Sequence, residues 1–182
     1  MSSIPPSTQA ADRLGTVAPG GAPVRPSLRL MLAHPAHHLA FGFGSGLVPF
    51  APGTWGTLFA WASFVALDRW LSDGAWAALI IVTIVLGAAA AQRTGEALGQ
   101  PDHGAIVIDE IAAFWLVLWM LPGGAMTQGL AFLAFRFFDI VKPPPIRAVD
   151  RRFKGGVGVM LDDLLAALYT LLVAAVLVRV FG

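Results

Sequence analysis

In 182 residues, 57% are hydrophobic and only 13% are Asp, Glu, Lys or Arg, which inverts the balance of a soluble domain and points to a membrane protein. The absence of cysteine excludes a disulfide framework, a thiolate metal site and a cysteine nucleophile, and with the last Cys-based phosphatase chemistry. A formal net charge of +1 gives no reason to expect a nucleic-acid partner, and the length suits one compact helical bundle.

Residues 1–30 carry Pro5, Pro6, Pro19, Pro23 and Pro26 among Ser, Thr, Gly and Ala. They contain no apolar block long enough for a signal-peptide core and read as a flexible tail, which leaves 31–182 as a single helical domain. Met31 to Phe41 mixes apolar residues with His34, His37 and His38 and reads as a short helix at the level of the lipid headgroups. Without further ligands those histidines read as bystanders rather than a metal site. Gly42 to Pro52, GFGSGLVPFAP, is expected to be a shaped loop.

Five apolar segments follow, Trp55 to Trp70, Ala75 to Ala91, Ala105 to Leu121, Thr127 to Val141 and Val159 to Phe181, and each reads as a helix. A hydrocarbon core of about 30 Å needs roughly 20 helical residues, so the second and last are comfortable spans, while the others are shorter or carry charges. Lipid tolerates no open sheet edge and no barrel-like alternation is visible, so the expected fold class is an all-α polytopic membrane bundle of about five apolar helices, some not fully spanning. Short cytoplasmic loops favour Lys and Arg. That rule places Arg13, Arg25, Arg29 and the cluster from Arg147 to Lys154 in the cytoplasm, and the uncharged Pro122 to Met126 connection outside. If all five segments cross, the loops 42–54, 92–104 and 142–158 share the cytoplasmic face.

Five acids lie at that face: Asp109 and Glu110 at the head of one segment, Asp139 near the foot of the next, Asp162 and Asp163 at the head of the last. Clustered carboxylates at membrane depth require cations, and hard oxygen ligands of this kind select Mg²⁺ or a similar ion. Arg136 and Lys142 lie three residues either side of Asp139, on roughly its helical face. Acids in a first helical turn also complement the helix dipole, which accounts for any one of the four head acids but not for Asp139. The basic run from Arg136 to Lys154 reads both as a topology signal and, with the backbone of Gly155, Gly156 and Gly158, as a holder of a phosphorylated headgroup. Glu96, Asp102 and Asp150 are read as solvated loop acids outside the site.

Three stretches, GFGSGLVPFAPGTWGTL (Gly42 to Leu58), IVIDEIAAFW (Ile106 to Trp115) and FRFFDIVKPPPIRAVDRRFKGGVGVMLDDLLAALY (Phe135 to Tyr169), together resemble the phosphatidylglycerophosphatase A family. The resemblance implies an all-helical, Mg²⁺-dependent enzyme of the bacterial inner membrane, its site facing the cytoplasm. Its reaction is hydrolysis of the terminal phosphomonoester of phosphatidylglycerophosphate. On that reading Asp109, Glu110, Asp139, Asp162 and Asp163 are metal ligands, and Arg136 and Lys142 stabilise the phosphate oxygens. Thr54, Thr57, Arg147 and Lys154 are further candidates for contacting the phospholipid substrate. The chain departs from the family pattern at Ala113 and Ala167, where glycine is usual, and another small residue there preserves close helix contact. The DG…AR…G…D…D pattern of CDP-alcohol phosphatidyltransferases is absent, as are DxDGT-like and SGH-type phosphatase motifs. A non-catalytic ion-binding protein or transporter remains the alternative, and the oligomeric state is not fixed by sequence.

Overall fold

A computed structural model describes residues 24–181; of the tail expected over residues 1–30, residues 1–23 lie outside them, and Leu28 to Leu30 belong to a helix. No strand occurs among the described residues; the helices are α1 (Leu28–Ala33), α2 (Pro35–Ala40), a 3-10 segment (Gly42–Leu47), α3 (Pro52–Leu67), α4 (Asp73–Leu98), α5 (Ile108–Met120), α6 (Ala125–Val141), α7 (Ile146–Arg152) and α8 (Gly156–Phe181). The stretch read as one headgroup helix is two, because Pro35 cannot continue α1 and instead opens α2. The His34 imidazole Nδ1 accepts the Ala36 N–H there at 3.0 Å. The Gly42–Leu47 segment is kinked, with positive φ at Phe43 (56°) and Gly44 (102°).

Helices α4 and α8 are long and apolar enough to cross a membrane, and only 33% and 28% of their apolar windows are buried inside the protein. They are therefore not the core helices of a soluble domain. Ile81, Val85, Leu130, Leu133, Leu172 and Val176 are all more than half exposed, and an apolar surface of this extent belongs in lipid. The remaining apolar helices are shorter than a full crossing. With 16, 13 and 17 residues, α3, α5 and α6 rise roughly 24, 20 and 26 Å.

The shortest of these is the centre of the bundle. Ten of the 13 residues of α5 are buried, and it packs against α3, α4, α6 and α8. Its apolar character reflects contact with protein rather than with lipid, a distinction composition does not carry. Around it, Phe64 stacks on Trp76 with ring centroids 4.6 Å apart, and the Trp115 indole donates to the Ala60 carbonyl at 3.0 Å. Ala113 and Ala167 are both fully buried in this core, so the two alanines still allow close packing.

Helix ends differ from expectation where polar or glycine-rich sequence continues a helix. α4 runs through Gln92 to Leu98, since Gln, Arg, Glu, Ala and Leu are all good helix formers, and Glu96 consequently lies on a helix rather than in a loop. α8 begins at Gly156. A Cβ on Gly156 would overlap the Ala88 carbonyl oxygen of α4, so this glycine is what lets α8 dock.

Candidate active site

The bundle brings the starts of α3, α5 and α8 and the end of α6 together at one end. Asp109 and Glu110 occupy the first turn of α5. Asp162 and Asp163 lie about two turns into α8, whose first turn carries no acid, so the helix-dipole explanation that suits α5 does not reach them. One ligand oxygen each from Asp109, Glu110 and Asp163 lies within 4.8 Å of the others, and all three residues are buried. Asp109 Oδ1, Glu110 Oε2 and Asp163 Oδ2 are buried with no hydrogen-bond partner.

Arg136, one turn before Asp139 on α6, places Nη1 2.6 Å from Asp139 Oδ2 and 3.6 Å from Glu110 Oε1. The same nitrogen donates to Thr57 Oγ1 at 3.4 Å, while the Thr57 hydroxyl donates to the Gly53 carbonyl at 2.8 Å. The first two turns of α3 thereby hold the guanidinium. A Cβ on Gly53 would overlap Glu110 Oε1 and crowd the Arg136 guanidinium, so glycine here leaves both side-chain ends where they are. Lys142 caps α6 in the left-handed conformation, φ 46°, and its ammonium pairs with the Asp162 carboxylate. Glycine would suit that backbone better; lysine there turns a cation back toward α8.

Five carboxylates (Asp109, Glu110, Asp139, Asp162, Asp163) against two cations (Arg136, Lys142) leave three formal negative charges in this cluster. Two ionised groups about 4.8 Å apart repel by roughly 3–4 kcal/mol at an effective dielectric near 20. Complementing a helix end is worth only about 0.3–1 kcal/mol. The helix termini cannot offset the crowding of Asp109, Glu110 and Asp163, whereas a cation among them can. Their donor set, all carboxylate oxygen with unpartnered atoms turned inward, fits a hard divalent ion.

The other candidates are placed less centrally. Thr54 is half-buried in the first turn of α3, and Arg147 is exposed, its Nη2 donating to the Val141 carbonyl at 3.4 Å. Lys154 is exposed just ahead of α8. Sequence reasoning missed Gln92, whose Oε1 accepts the Gly156 N–H at 2.9 Å and so fixes the start of the helix that carries Asp162 and Asp163. Only the Gly155-Gly156 pair opposite it hinted at a close approach.

Residues 38–178 match the sequence profile described as Phosphatidylglycerophosphatase A. The chain belongs to the phosphatidylglycerophosphatase A family. Two relatives carry that same name: one from Haemophilus influenzae, 42% identical over 81% of this chain and 91% of its own length, and one from Escherichia coli, 40% identical over 76% and 80%. A third, from Bacteroides thetaiotaomicron, is 41% identical over 78% of this chain and 92% of its own length, and bears the provisional name of phosphatidylinositol-3-phosphatase. No solved structure matches the chain. The profile match spans every phosphatidylglycerophosphatase A motif quoted above and all seven members of the charged cluster.

Proposed function

We propose that this chain hydrolyses the terminal phosphomonoester of phosphatidylglycerophosphate to phosphatidylglycerol and inorganic phosphate, with Mg²⁺ bound by the acid cluster and the site open to the cytoplasm. The observation that carries this reading is the buried Asp109, Glu110 and Asp163 triad with its unpartnered oxygens beside Arg136. Mg²⁺ held there would supply Lewis-acid charge toward the phosphate and lower the pKa of a water. The chain's own residues do the rest. Arg136, steadied by Thr57, Glu110 and Asp139, presents its guanidinium to the equatorial phosphoryl oxygens, and Lys142 adds a second cation. The first turns of α3 and α5 meet there, Gly53 against Glu110, and favour an anion. Attack by water forms one P–O bond as the water gives up a proton, the bond to the terminal glycerol oxygen breaks, and the departing alkoxide takes up a proton in its place. The basic residues from Arg147 to Lys154 support a cytoplasmic opening.

The test is phosphate release by the purified chain from phosphatidylglycerophosphate, phosphatidate, phosphatidylinositol 3-phosphate and a soluble phosphomonoester, with Mg²⁺ and with excess chelator. Phosphatidylglycerophosphate should turn over fastest, with activity lost in chelator and restored by Mg²⁺. Faster turnover of the inositol lipid would reassign the substrate, full activity in chelator would remove the metal from the mechanism, and no release from any substrate would favour the ion-binding alternative.

A further inference from the structure

The segment that precedes α3 has two apolar faces, and only one is covered. Its inner face is buried, Met31 and Phe41 with Leu98 and Ala105 and Ala40 in the main core, and His37 Nδ1 meets Thr94 Oγ1 of α4 at 2.9 Å. On the outer face Leu28, Leu32, Phe43 and Phe50 are 60%, 67%, 54% and 80% exposed. The Phe43 ring stacks on Phe59 of α3 at 5.8 Å, which makes this face continuous with the lipid-facing side of the bundle. Its depth follows from Thr94. The apolar run of α4 ends at Ala91 and is followed by Gln92, Arg93 and Glu96, so α2 lies beside the first polar turns beyond the span. That is headgroup level. Charge identifies the lipid: Arg25 and Arg29 are exposed, and no Asp or Glu occurs from Val24 to Leu67.

We propose that residues 25–50 form an interfacial anchor whose outer face seats in an anionic lipid surface on the same side of the membrane as the acid cluster. Leu28, Leu32, Phe43 and Phe50 enter the boundary between headgroups and acyl chains, and Arg25 and Arg29 hold lipid phosphates. The anchor is joined to the site by a hydrogen bond, since the Val107 N–H donates to the Ala40 carbonyl at 2.9 Å and Val107 caps α5 two residues ahead of Asp109. The proposal stands apart from the phosphatase reading, because it concerns where this face sits and not what the site cleaves.

Because the chain has no cysteine, single labels report on it directly. Leu32→Cys and Phe43→Cys, each carrying an environment-sensitive fluorophore, are reconstituted in vesicles of neutral phosphatidylcholine or of phosphatidylcholine with phosphatidylglycerol. Asp102→Cys serves as an exposed loop reference. Quenching by a lipid spin-labelled near its headgroup should be several-fold stronger at positions 32 and 43 than at 102, and quenching by iodide several-fold weaker. The contrast should grow with phosphatidylglycerol and lose that increment in the Arg25→Gln, Arg29→Gln background. Iodide reaching all three positions equally would overturn the anchor. Shielding from both quenchers would overturn it in favour of a second copy of the chain, and a contrast indifferent to phosphatidylglycerol would overturn the anionic preference.

Discussion

At the end of the bundle away from the site, Asp68 and Asp73 are exposed, and each accepts one hydrogen bond from an indole: Trp76 Nε1 at 3.1 Å and Trp119 Nε1 at 3.2 Å. At the other end, Asp109, Glu110 and Asp163 are buried within 4.8 Å of one another. Water solvates the first pair, so a neutral donor suffices. The second group has no such solvent and holds more negative charge than its neighbours neutralise. One residue type thus serves two purposes, and the local dielectric and crowding decide which.

Asparagine sharpens this contrast most, because it keeps the shape of aspartate and removes the charge. Asp109→Asn, Asp139→Asn and Asp163→Asn should each lower phosphate release by about a hundredfold or more, the loss typical of a removed catalytic group. Asp68→Asn and Asp73→Asn should remain near wild type. Thermal unfolding in detergent would verify that all five variants fold. Wild-type turnover in the three site variants would show that these carboxylates do not hold the metal.

A smaller effect separates two glycines in the same way. A Cβ at Gly53 meets the ends of the Glu110 and Arg136 side chains, whereas one at Gly74, in the first turn of α4, meets nothing within 4 Å. The flexible ends of Glu110 and Arg136 can yield, so Gly53→Ala should leave Tm almost unchanged. It should nevertheless cut activity about tenfold or more, because displacing those groups spoils their alignment. Gly74→Ala should be silent in activity and neutral or stabilising by up to about 1 kcal/mol. Equal activity of the two variants would mean that the close approach of α3 is not part of the site.

The weakest effect concerns His37. Its burial first, then the nearby charges of His34 and Arg93, hold its pKa below the ordinary value of 6.5. The folded protein therefore binds fewer protons here than the unfolded chain. The stability contributed is complete above the unfolded-chain pKa and is lost as pH falls through it toward the folded value. Between about pH 7.5 and 5.5, Tm should fall more steeply in the wild type than in His37→Asn; parallel slopes would show that this imidazole is not coupled to folding.

The charged cluster was legible because ionised side chains in apolar sequence are rare, and Asp139 in particular had no explanation as a helix cap. The helical class was legible for the same compositional reason. What could not be read was which apolar surface faces lipid, since the central α5 and the outer α4 look alike in hydropathy. Glycine was misjudged in one respect. Gly156 and Gly158 suggested a loop, yet at Gly156 the missing side chain permits helix docking, and this carries Asp162 and Asp163 two turns down α8. The link from Gly53 through Thr57 to Arg136 spans 79 positions between its last two members and leaves no local trace.

The two longest helices also outlast the hydrocarbon at the end that holds the site. α4 and α8 run 26 residues each, roughly 39 Å, against a core of about 30 Å, and the apolar run of α4 stops at Ala91. The last two turns of α4, Gln92 to Leu98, therefore stand beyond the lipid span as a post. Gln92 Oε1 takes the Gly156 N–H at 2.9 Å, and Thr94 Oγ1 meets His37 Nδ1 at 2.9 Å. One stiff extension thus braces both the start of α8 and the segment ahead of α3.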